Sequence, residues 1–300
     1  MYVITGATGN TGRVVAEQLL AAGKKVRGVG RSTEKLQALV AQGGEPFVAD
    51  TADAESLTRA FAGCEGAYLM IPPNPSSADP LAYRTQVSDS LVAALAKTKV
   101  KHAVTLSSLG ADKTEGTGPV AGLHELEEKL NRVAGLSILH LRAGYFMENT
   151  LAQAGIIQAI GTTAGPLRPD LKVPMIATHD IGVAAANALL RADFTGHQAR
   201  ELLGQRDLTM TEVAVIMGKA IGKVDLRYVQ LPDAQVLESL IQIGMSEPVA
   251  QLLLEMARAM NVGHMRGLEP RTAANTTATS FESFVSKEWL AAYRARTKAA

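Results

Sequence analysis

Runs of apolar residues alternate regularly with longer, helix-like stretches through the first half of the chain. The run Ala67-Tyr68-Leu69-Met70-Ile71 is apolar throughout, a pattern typical of strands covered on both faces. Strands are predicted at residues 1–5, 25–30, 45–49, 67–71, 101–107 and 136–142, and helices at residues 11–22, 32–42, 54–62, 81–97 and 119–134. Because strands and helices alternate, the sequence predicts an α/β fold with a doubly wound parallel sheet.

The pattern changes after residue 148. The predicted elements are a helix at 181–190 capped by Asp180, a strand at 200–203, a helix to 221 opened by a Thr209/Glu212 capping box, a strand at 226–230, and helices from Pro232 and over 249–260. We therefore predict a first domain over residues 1–148 and a smaller, mixed, helix-rich lobe over residues 149–300. The chain is expected to cross back between them near residues 176–195.

Composition and charge narrow the class of protein. Of the 300 residues, 47% are apolar and 20% are charged, which is an ordinary globular composition. The net charge of +1 shows no basic excess and argues against direct nucleic-acid binding. No window approaches the ~18 uninterrupted apolar residues of a membrane span.

The single cysteine, Cys64, offers neither an internal disulfide nor the spacing of a metal site. A motif beginning at Gly6 leaves no room for a secretory signal. A cytoplasmic location and no metal site are expected.

A glycine-rich turn joins the first predicted strand to the first helix. Gly6 permits a tight turn, Gly9 allows a pyrophosphate to approach the backbone, and Gly12 lets the helix pack closely on the strand. The first amides of the helix then face the phosphates with a favourable dipole. The predicted phosphate-binding residues are Gly6, Thr8, Gly9, Asn10, Thr11 and Gly12. The alternative interpretation is a purely structural turn.

This turn resembles that of the atypical, extended short-chain dehydrogenases, and three further segments resemble the NmrA-like family. They are Leu141-Arg142-Ala143-Gly144-Tyr145-Phe146-Met147-Glu148-Asn149, Leu123-His124-Glu125-Leu126-Glu127-Glu128 and Thr105-Leu106-Ser107-Ser108. The likeness extends to the Gly204-Gln205-Arg206-Asp207-Leu208-Thr209 segment of the second lobe. It implies a Rossmann domain. It also implies one of two functions, because the family contains both NADPH-dependent quinone reductases and dinucleotide-binding redox sensors.

The end of the second predicted strand favours NADP(H) over NAD(H). An NAD site usually carries Asp or Glu there, but no carboxylate appears before Glu34, and Arg31 stands where a 2′-phosphate would lie. The planar guanidinium can bind two phosphate oxygens, and the resemblance also implies this arginine as the NADP-selecting residue. Arg31 as a solvated side chain at a helix start is the alternative. Arg13 is a weaker second candidate for the same phosphate.

The resemblance implies further cofactor contacts at the ends of other strands. Asp50 and Thr51 fall where the adenine edge is met, although a helix cap before Ala54 is an equal alternative. The remaining expected contacts are Ile71 and Pro72 beside the ribose, Ser107 and Ser108 near the nicotinamide, and Gly144 and Tyr145 after the sixth strand. Segment 72–80 is the most loop-like part of the chain. We expect it to roof the cleft and to be mobile before the nucleotide binds.

The catalytic pair of most short-chain dehydrogenases, Tyr-x-x-x-Lys, is missing. His124 is assigned to the place of the lysine, and Val120 stands four residues earlier in the place of the tyrosine. His124 is expected to bind the ribose or to supply a proton, with Glu127 or Glu128 on the same helix face; an exposed structural histidine is the alternative. Without the tyrosine, an alcohol dehydrogenase or sugar epimerase is disfavoured. A quinone remains a suitable substrate because its reduced form is a stabilised phenolate that solvent can protonate.

Tyr145 and Phe146 are expected to form a stacking wall for a flat ring, with the Tyr145 hydroxyl and Asn149 reaching the substrate. Core packing of the pair is the competing interpretation, and the alternative for Asn149 is that it only caps a turn. The sequence therefore leaves two hypotheses open. The first is an NADPH-dependent oxidoreductase that reduces quinones or similar conjugated carbonyls. The second is a non-catalytic NADP(H) sensor that acts through a protein partner. An isomerase that uses the nucleotide only transiently also remains open.

Overall fold

Twelve strands lie within residues 1–299, the part of the chain that the computed structural model describes. They are β1 (Tyr2–Thr5), β2 (Val26–Gly30), β3 (Glu45–Val48), β4 (Gly66–Leu69), β5 (His102–Ser108), β6 (Ser137–Ala143), β7 (Tyr145–Phe146), β8 (Thr163–Gly165), β9 (Val173–Ile176), β10 (His197–Leu202), β11 (Arg206–Leu208) and β12 (Tyr228–Gln230). Seven of them form one sheet in the order β10-β6-β5-β4-β1-β2-β3. Every neighbouring pair in it is parallel. The predicted doubly wound α/β fold is confirmed.

The helices connect these strands and cover the sheet. They are α1 (Asn10–Ala21), α2 (Gln37–Ala41), α3 (Ala54–Phe61), α4 (Pro80–Thr98), α5 (Ala121–Leu130), α6 (Gln153–Ile160), α7 (Thr178–Arg191), α8 (Met210–Ala220), α9 (Asp233–Gln242), α10 (Glu247–Asn261), α11 (Phe281–Phe284) and α12 (Leu290–Ala299). Short 3₁₀ segments cover Glu34–Leu36, Gly118–Val120 and Met147–Ala152, and a π-helical turn covers Val285–Trp289. None of the helices in residues 1–299 is long and apolar enough to cross a membrane.

The sheet is buried on both faces, which explains its continuous apolar strands. Ile4 and Tyr68 belong to the core on the side of α1 and α7, whereas Val3 and Leu69 belong to the core on the side of α3 and α4. All four side chains are fully buried. Strand β3 is the exception, because it lies at the sheet edge and is largely exposed. This packing fixes the carboxyl ends of β1, β4, β5 and β6 along one edge, where α/β sheets bind ligands.

The chain leaves the sheet after β6 and returns to it with α7 and β10. Helix α7 packs against α1, and β10 pairs with β6 from Ile138 to Ala143. The strand predicted at 200–203 in the second lobe is thus β10 (His197–Leu202), an edge strand of the main sheet. Residues 178–202 therefore lie with the first domain.

The helix predicted at 32–42 is shorter in the structure. It consists of the 3₁₀ turn Glu34–Leu36 followed by α2.

The second lobe contains two small sheets and the remaining helices. Strands β11, β9 and β7 form one sheet, and β12 pairs with β8 in the other. Its core centres on Trp289, which is fully buried and whose indole N–H donates to the Thr150 carbonyl oxygen at 3.0 Å. The predicted capping box is present at the start of α8: Thr209 Oγ1 accepts from the Glu212 amide, and Glu212 Oε2 accepts from the Thr209 amide.

Candidate functional site

A cleft of about 820 Å³ lies between the carboxyl edge of the sheet and the second lobe. Its wall is mostly apolar and includes four methionines, Met70, Met256, Met260 and Met265. The predicted site residues that line it are Gly9, Asn10, Thr11, Ile71, Ser107, Ser108, Gly144, Tyr145, Phe146 and Asn149. A concave, largely apolar cleft at this edge is the usual form of a ligand site in an open α/β fold.

Two glycines of the turn, Gly6 and Gly12, leave no room for a side chain. Gly6 adopts a φ of 64°, which favours glycine, and a Cβ on Gly12 would lie 2.3 Å from the Gly6 carbonyl oxygen. Gly9 caps α1 without a side-chain hydrogen bond, so no side chain covers the first-turn amides beside the cleft. The Tyr68 hydroxyl donates to Thr11 Oγ1 at 2.8 Å, which anchors that residue in the sheet core. Thr8 is exposed at the tip of the turn.

Arg31 follows β2 directly and is exposed. Its guanidinium makes neither a hydrogen bond nor an ion pair with any residue in 1–299, so it is available to a ligand. Asp50 and Thr51 lie after the neighbouring strand β3. Asp50 Oδ1 accepts from the Ala52 amide at 2.9 Å, and the cap of α3 is Asp53, whose side chain accepts from the Glu55 amide. The alternative of a cap at Asp50 is therefore wrong.

Tyr83, which the sequence analysis did not select, lies among these groups. Burial raises the pKa of its phenol, as does the nearby Asp50 carboxylate; the Arg31 and Arg84 charges and a hydrogen bond with Thr51 act in the opposite direction. Tyr83 therefore brings an aromatic ring from α4 to the ends of β2 and β3. The Asp79-Pro80 pair that opens α4 marks this helix in the sequence, but it does not show which way the helix faces.

Ser107 is tied to an ion pair behind the cleft wall. The Ser107 hydroxyl donates to Glu127 Oε1 at 2.5 Å, and Arg142 donates to both carboxylate oxygens at 3.1 and 2.6 Å. Glu127 is 4% exposed. The arginine of the LRxGxFMEN segment thus holds the helix that carries Glu127 against the ends of β5 and β6. Ser108 donates to the Leu109 carbonyl oxygen and faces the cleft.

His124 does not line the cleft; its neighbour Leu123 does. His124 Nδ1 lies 2.9 Å from the Ala111 carbonyl oxygen, and the ring borders a separate, smaller depression together with Glu128. One step along an α-helix rotates a side chain by about 100°, which accounts for this difference. The expected contact between His124 and the ribose has no support in this arrangement. Val120, in the place of the usual tyrosine, does face the cleft.

The segment after β6 contributes Gly144, Tyr145, Phe146 and Asn149 to the cleft wall. Burial raises the pKa of Tyr145 to about 12, so its phenol stays protonated at neutral pH. Phe146 lies beside it, and Asn149 is exposed at the cleft. Gly144 is required by a close crossing, because a Cβ there would lie 2.5 Å from the Pro174 carbonyl oxygen. Glu148 of the same segment does not line the cleft. Its carboxylate accepts hydrogen bonds from the amide and hydroxyl of Thr178 at the start of α7.

Residues 263–279 run across the cleft mouth and are fixed at both sides. The buried Glu201 carboxylate accepts from the amides of Leu268 and Glu269, at 2.8 and 3.0 Å for the shortest contacts. Further along, Asp180 at the start of α7 accepts from the amide and hydroxyl of Thr279. We refer to residues 263–279 as the strap. It supplies Met265, Arg266, Glu269 and Arg271 to the cleft.

The sequence pattern of the NmrA-like family matches residues 2–287, and the chain belongs to this family. Quinone oxidoreductase 2 of Escherichia coli (strain K12) is 30% identical over 261 residues, which cover 85% of this chain and 86% of that protein. NAD(P)H azoreductase of Xenophilus azovorans is 27% identical over 258 residues, covering 85% and 86%. The crystal structure of an Escherichia coli NADPH-dependent quinone oxidoreductase complexed with NADPH has a TM-score of 0.75 and 27% identity, covering 95% of this chain and 99% of that one.

Proposed function

We propose that the protein is an NADPH-dependent oxidoreductase that reduces a quinone or a similar conjugated carbonyl in the cleft. The observation that carries this proposal is a single cleft that joins the glycine turn of α1 to an apolar wall built from both lobes. Its relatives support the same reading, since two of them are a quinone oxidoreductase and an NAD(P)H azoreductase.

The residues present fit NADPH. The turn leaves backbone space that a Cβ on Gly12 would fill, and α1 offers uncapped first-turn amides for the pyrophosphate. We assign the 2′-phosphate to Arg31 and the adenine edge to Asp50, Thr51 and Tyr83. Ile71 and Pro72 border the ribose, and Ser107, Ser108 and Gly144 border the nicotinamide. When bound, NADPH supplies a hydride to the acceptor.

The chain positions the acceptor and shields it from water. Tyr145 and Phe146 form one wall for a flat ring, and the methionines of α10 and the strap close the other side. The Tyr145 phenol keeps its proton and is a hydrogen-bond donor toward an acceptor oxygen. Asn149 provides a second polar contact at the rim. No step is assigned to His124, because it borders a different depression.

The test is NADPH consumption by the purified protein with a panel of quinones. Saturable turnover, with a higher KM for NADPH in Arg31→Ala, is the expected result. If the protein binds NADPH tightly but no quinone is reduced, the oxidoreductase proposal is wrong. That outcome would favour the NADP(H) sensor, for which pull-down with NADP⁺- and NADPH-loaded protein would then identify a partner.

A further inference from the structure

Within residues 1–299, Arg84 is the only charged side chain of the first domain that lines the cleft. The other charged lining residues, Lys172, Asp207, Arg266, Glu269 and Arg271, come from the second lobe and the strap. Asp207 and Arg271 neutralise each other in an ion pair. Lys172, Arg266 and Glu269 are exposed, whereas Arg84 is partly buried. Arg84 is therefore the one partly buried charge among these lining residues.

Nothing in residues 1–299 pairs with this guanidinium. Arg84 makes no hydrogen bond or ion pair, and the one charge interaction that affects it is with the phenol of Tyr83. Burial lowers the pKa of Arg84, but from so high a value that the side chain stays charged. Removing a charge from water without a partner is costly, so such a side chain is best explained by an anion that binds beside it.

The position of Arg84 relates it to the missing catalytic tyrosine. Its side chain runs along the first turn of α5, where a Cβ on Gly122 would lie 2.7 Å from Arg84 Cδ. Gly122 is two residues from Val120, and Arg84 and Val120 line the same cleft. The positive charge of Arg84 thus lies on the same cleft wall as Val120. In a dehydrogenase with the usual catalytic pair, this wall carries the tyrosine that donates a proton.

The α4–α5 contact fixes Arg84 in this place. The Thr85 hydroxyl donates to Glu125 Oε2 at 2.9 Å. Lys129 forms ion pairs with Glu125 of its own helix and with Asp89 of α4, at 2.6 and 2.5 Å. Since these bonds join the turns that flank Arg84 and Gly122, the backbone that carries Arg84 is fixed against α5 before any ligand arrives.

We propose that Arg84 is the oxyanion-binding residue of the cleft and that it stabilises the negative oxygen that forms on the acceptor during reduction. This inference rests on the proposed function. The acceptor receives one hydrogen nucleus and two electrons as a hydride, and the nicotinamide that donates it is oxidised. A quinone so reduced is a hydroquinone monoanion. Arg84 keeps its proton and stabilises the phenolate oxygen, and solvent supplies the second proton.

A binding experiment tests Arg84 without turnover. The probe is 4-nitrophenol, whose absorbance reports its ionisation, titrated against pH in complex with NADP⁺-loaded protein. Arg84 is expected to lower the pKa of the bound phenol by about one unit relative to Arg84→Met, a roughly tenfold preference for the phenolate. Arg132→Met removes an exposed arginine of the same charge outside the cleft and is expected to match the unmodified protein. Equal pKa values in the unmodified and Arg84→Met proteins, or no binding of the probe, would overturn the proposal.

Kinetics with quinones give the second readout. Arg84→Met is expected to lower kcat roughly 10- to 100-fold at saturating NADPH, Arg84→Lys less, and guanidinium ion in the buffer should partly restore Arg84→Ala. A rise in the Kd for NADPH with kcat unchanged would assign Arg84 to the nucleotide phosphates and refute the inference. Arg84-dependent binding of nitrophenolate without reduction of any quinone would instead refute the proposed function and leave the anion site standing.

Discussion

At the scale of single residues, two arginines without a hydrogen bond or ion pair in residues 1–299, Arg31 and Arg84, carry the proposed anion contacts of the candidate site. Arg31 lies at the end of β2 in solvent, and Arg84 lies partly buried in the cleft. Most other arginines with a described role are neutralised, such as Arg142 by Glu127 and Arg27 by Glu45. The two unpaired side chains therefore suit different anions, a solvent-facing phosphate for Arg31 and a buried oxyanion for Arg84.

Arg31→Ala is expected to weaken NADPH binding by about 1.5–3 kcal/mol, because a charge-assisted contact to the 2′-phosphate is lost. This corresponds to a roughly ten- to hundredfold higher Kd, measured by fluorescence titration. NADH, which lacks the phosphate, should bind equally well to both proteins. Arg59→Ala, which removes an exposed arginine of α3, is the control. Equal losses for NADPH and NADH would show that Arg31 does not select the phosphate.

Gly122→Ala tests the placement of Arg84 without changing a charge. The new Cβ would lie 2.7 Å from Arg84 Cδ and 3.1 Å from its Cβ, so the arginine side chain must move. We expect kcat for quinone to fall severalfold, while the free energy of unfolding changes by no more than about 1 kcal/mol because alanine favours a helix.

The matched control for that substitution is Gly155→Ala in α6. Its Cβ would displace the guanidinium of Arg296 outside the cleft, from a distance of 2.6 Å. It is expected to leave kcat unchanged. If both alanine variants lose activity to the same extent, displacement of Arg84 is not the cause.

Sequence reasoning located the strand ends but not the rotation of the helices. Asn10 opens the helix after β1, Ser107 lies near the end of β5, and Tyr145 lies just after β6, so their approach to one edge was predictable. His124 and Arg84 lie on helices, where a shift of one residue turns a side chain by about 100°. The likeness to the Tyr-x-x-x-Lys pair therefore pointed to His124. In the folded chain, Leu123 faces the cleft instead, and Arg84 of α4 reaches the same cleft.

At the scale of elements, the loop over residues 72–80 leads from β4 to α4 and is hydrogen-bonded to the second lobe. The Ser246 amide donates to the Pro75 carbonyl oxygen at 2.9 Å, and the Ser246 hydroxyl donates to the Ser77 carbonyl oxygen at 2.5 Å. Pro73 of the same loop lines the cleft. The start of α10 thus holds this loop beside the cleft.

Ser246→Ala is expected to speed proteolysis within residues 72–80 severalfold, since the hydroxyl that holds the loop is lost. Cleavage by proteinase K, followed by mass spectrometry, measures the rate. Ser246 also caps α10, so Ser280→Ala, which removes only the cap of α11, is the matched control. NADPH should slow cleavage in both variants if the loop closes on the nucleotide. The same rate in the two nucleotide-free variants would show that Ser246 does not restrain the loop.

The elements differ in how far sequence could predict them. The apolar strands of the main sheet were predictable because both faces are buried, and Thr209 with Glu212 marked α8 by local capping alone. Strand β7 has two residues and exists through pairing with β9, which is not a local property. The π-helical turn at Val285–Trp289 likewise depends on the burial of Trp289 in the second-lobe core.

At the scale of the whole molecule, the buried His140 of strand β6 links stability to pH. Burial is the main cause that lowers the pKa of His140 to about 4, below its ordinary value of 6.5. Nδ1 of the ring lies 2.6 Å from the Thr105 hydroxyl and Nε2 lies 3.0 Å from Asn131 Oδ1. These contacts suit a neutral imidazole that accepts at one nitrogen and donates at the other. Between these two pKa values, His140 is therefore protonated in the unfolded chain and neutral in the folded chain.

Because the folded-state pKa of His140 is lower, its contribution to stability is complete above the unfolded pKa and is lost as the pH falls toward 4. Between pH 7 and pH 5 this group alone should lower the free energy of unfolding by about 2 kcal/mol. Urea unfolding across that range measures the slope. His140→Gln should flatten it by that amount, whatever its own stability at pH 7. His179→Gln, which removes an exposed histidine, should keep the slope of the unmodified protein. An unchanged slope in His140→Gln would show that His140 is protonated in the folded state as readily as in the unfolded chain.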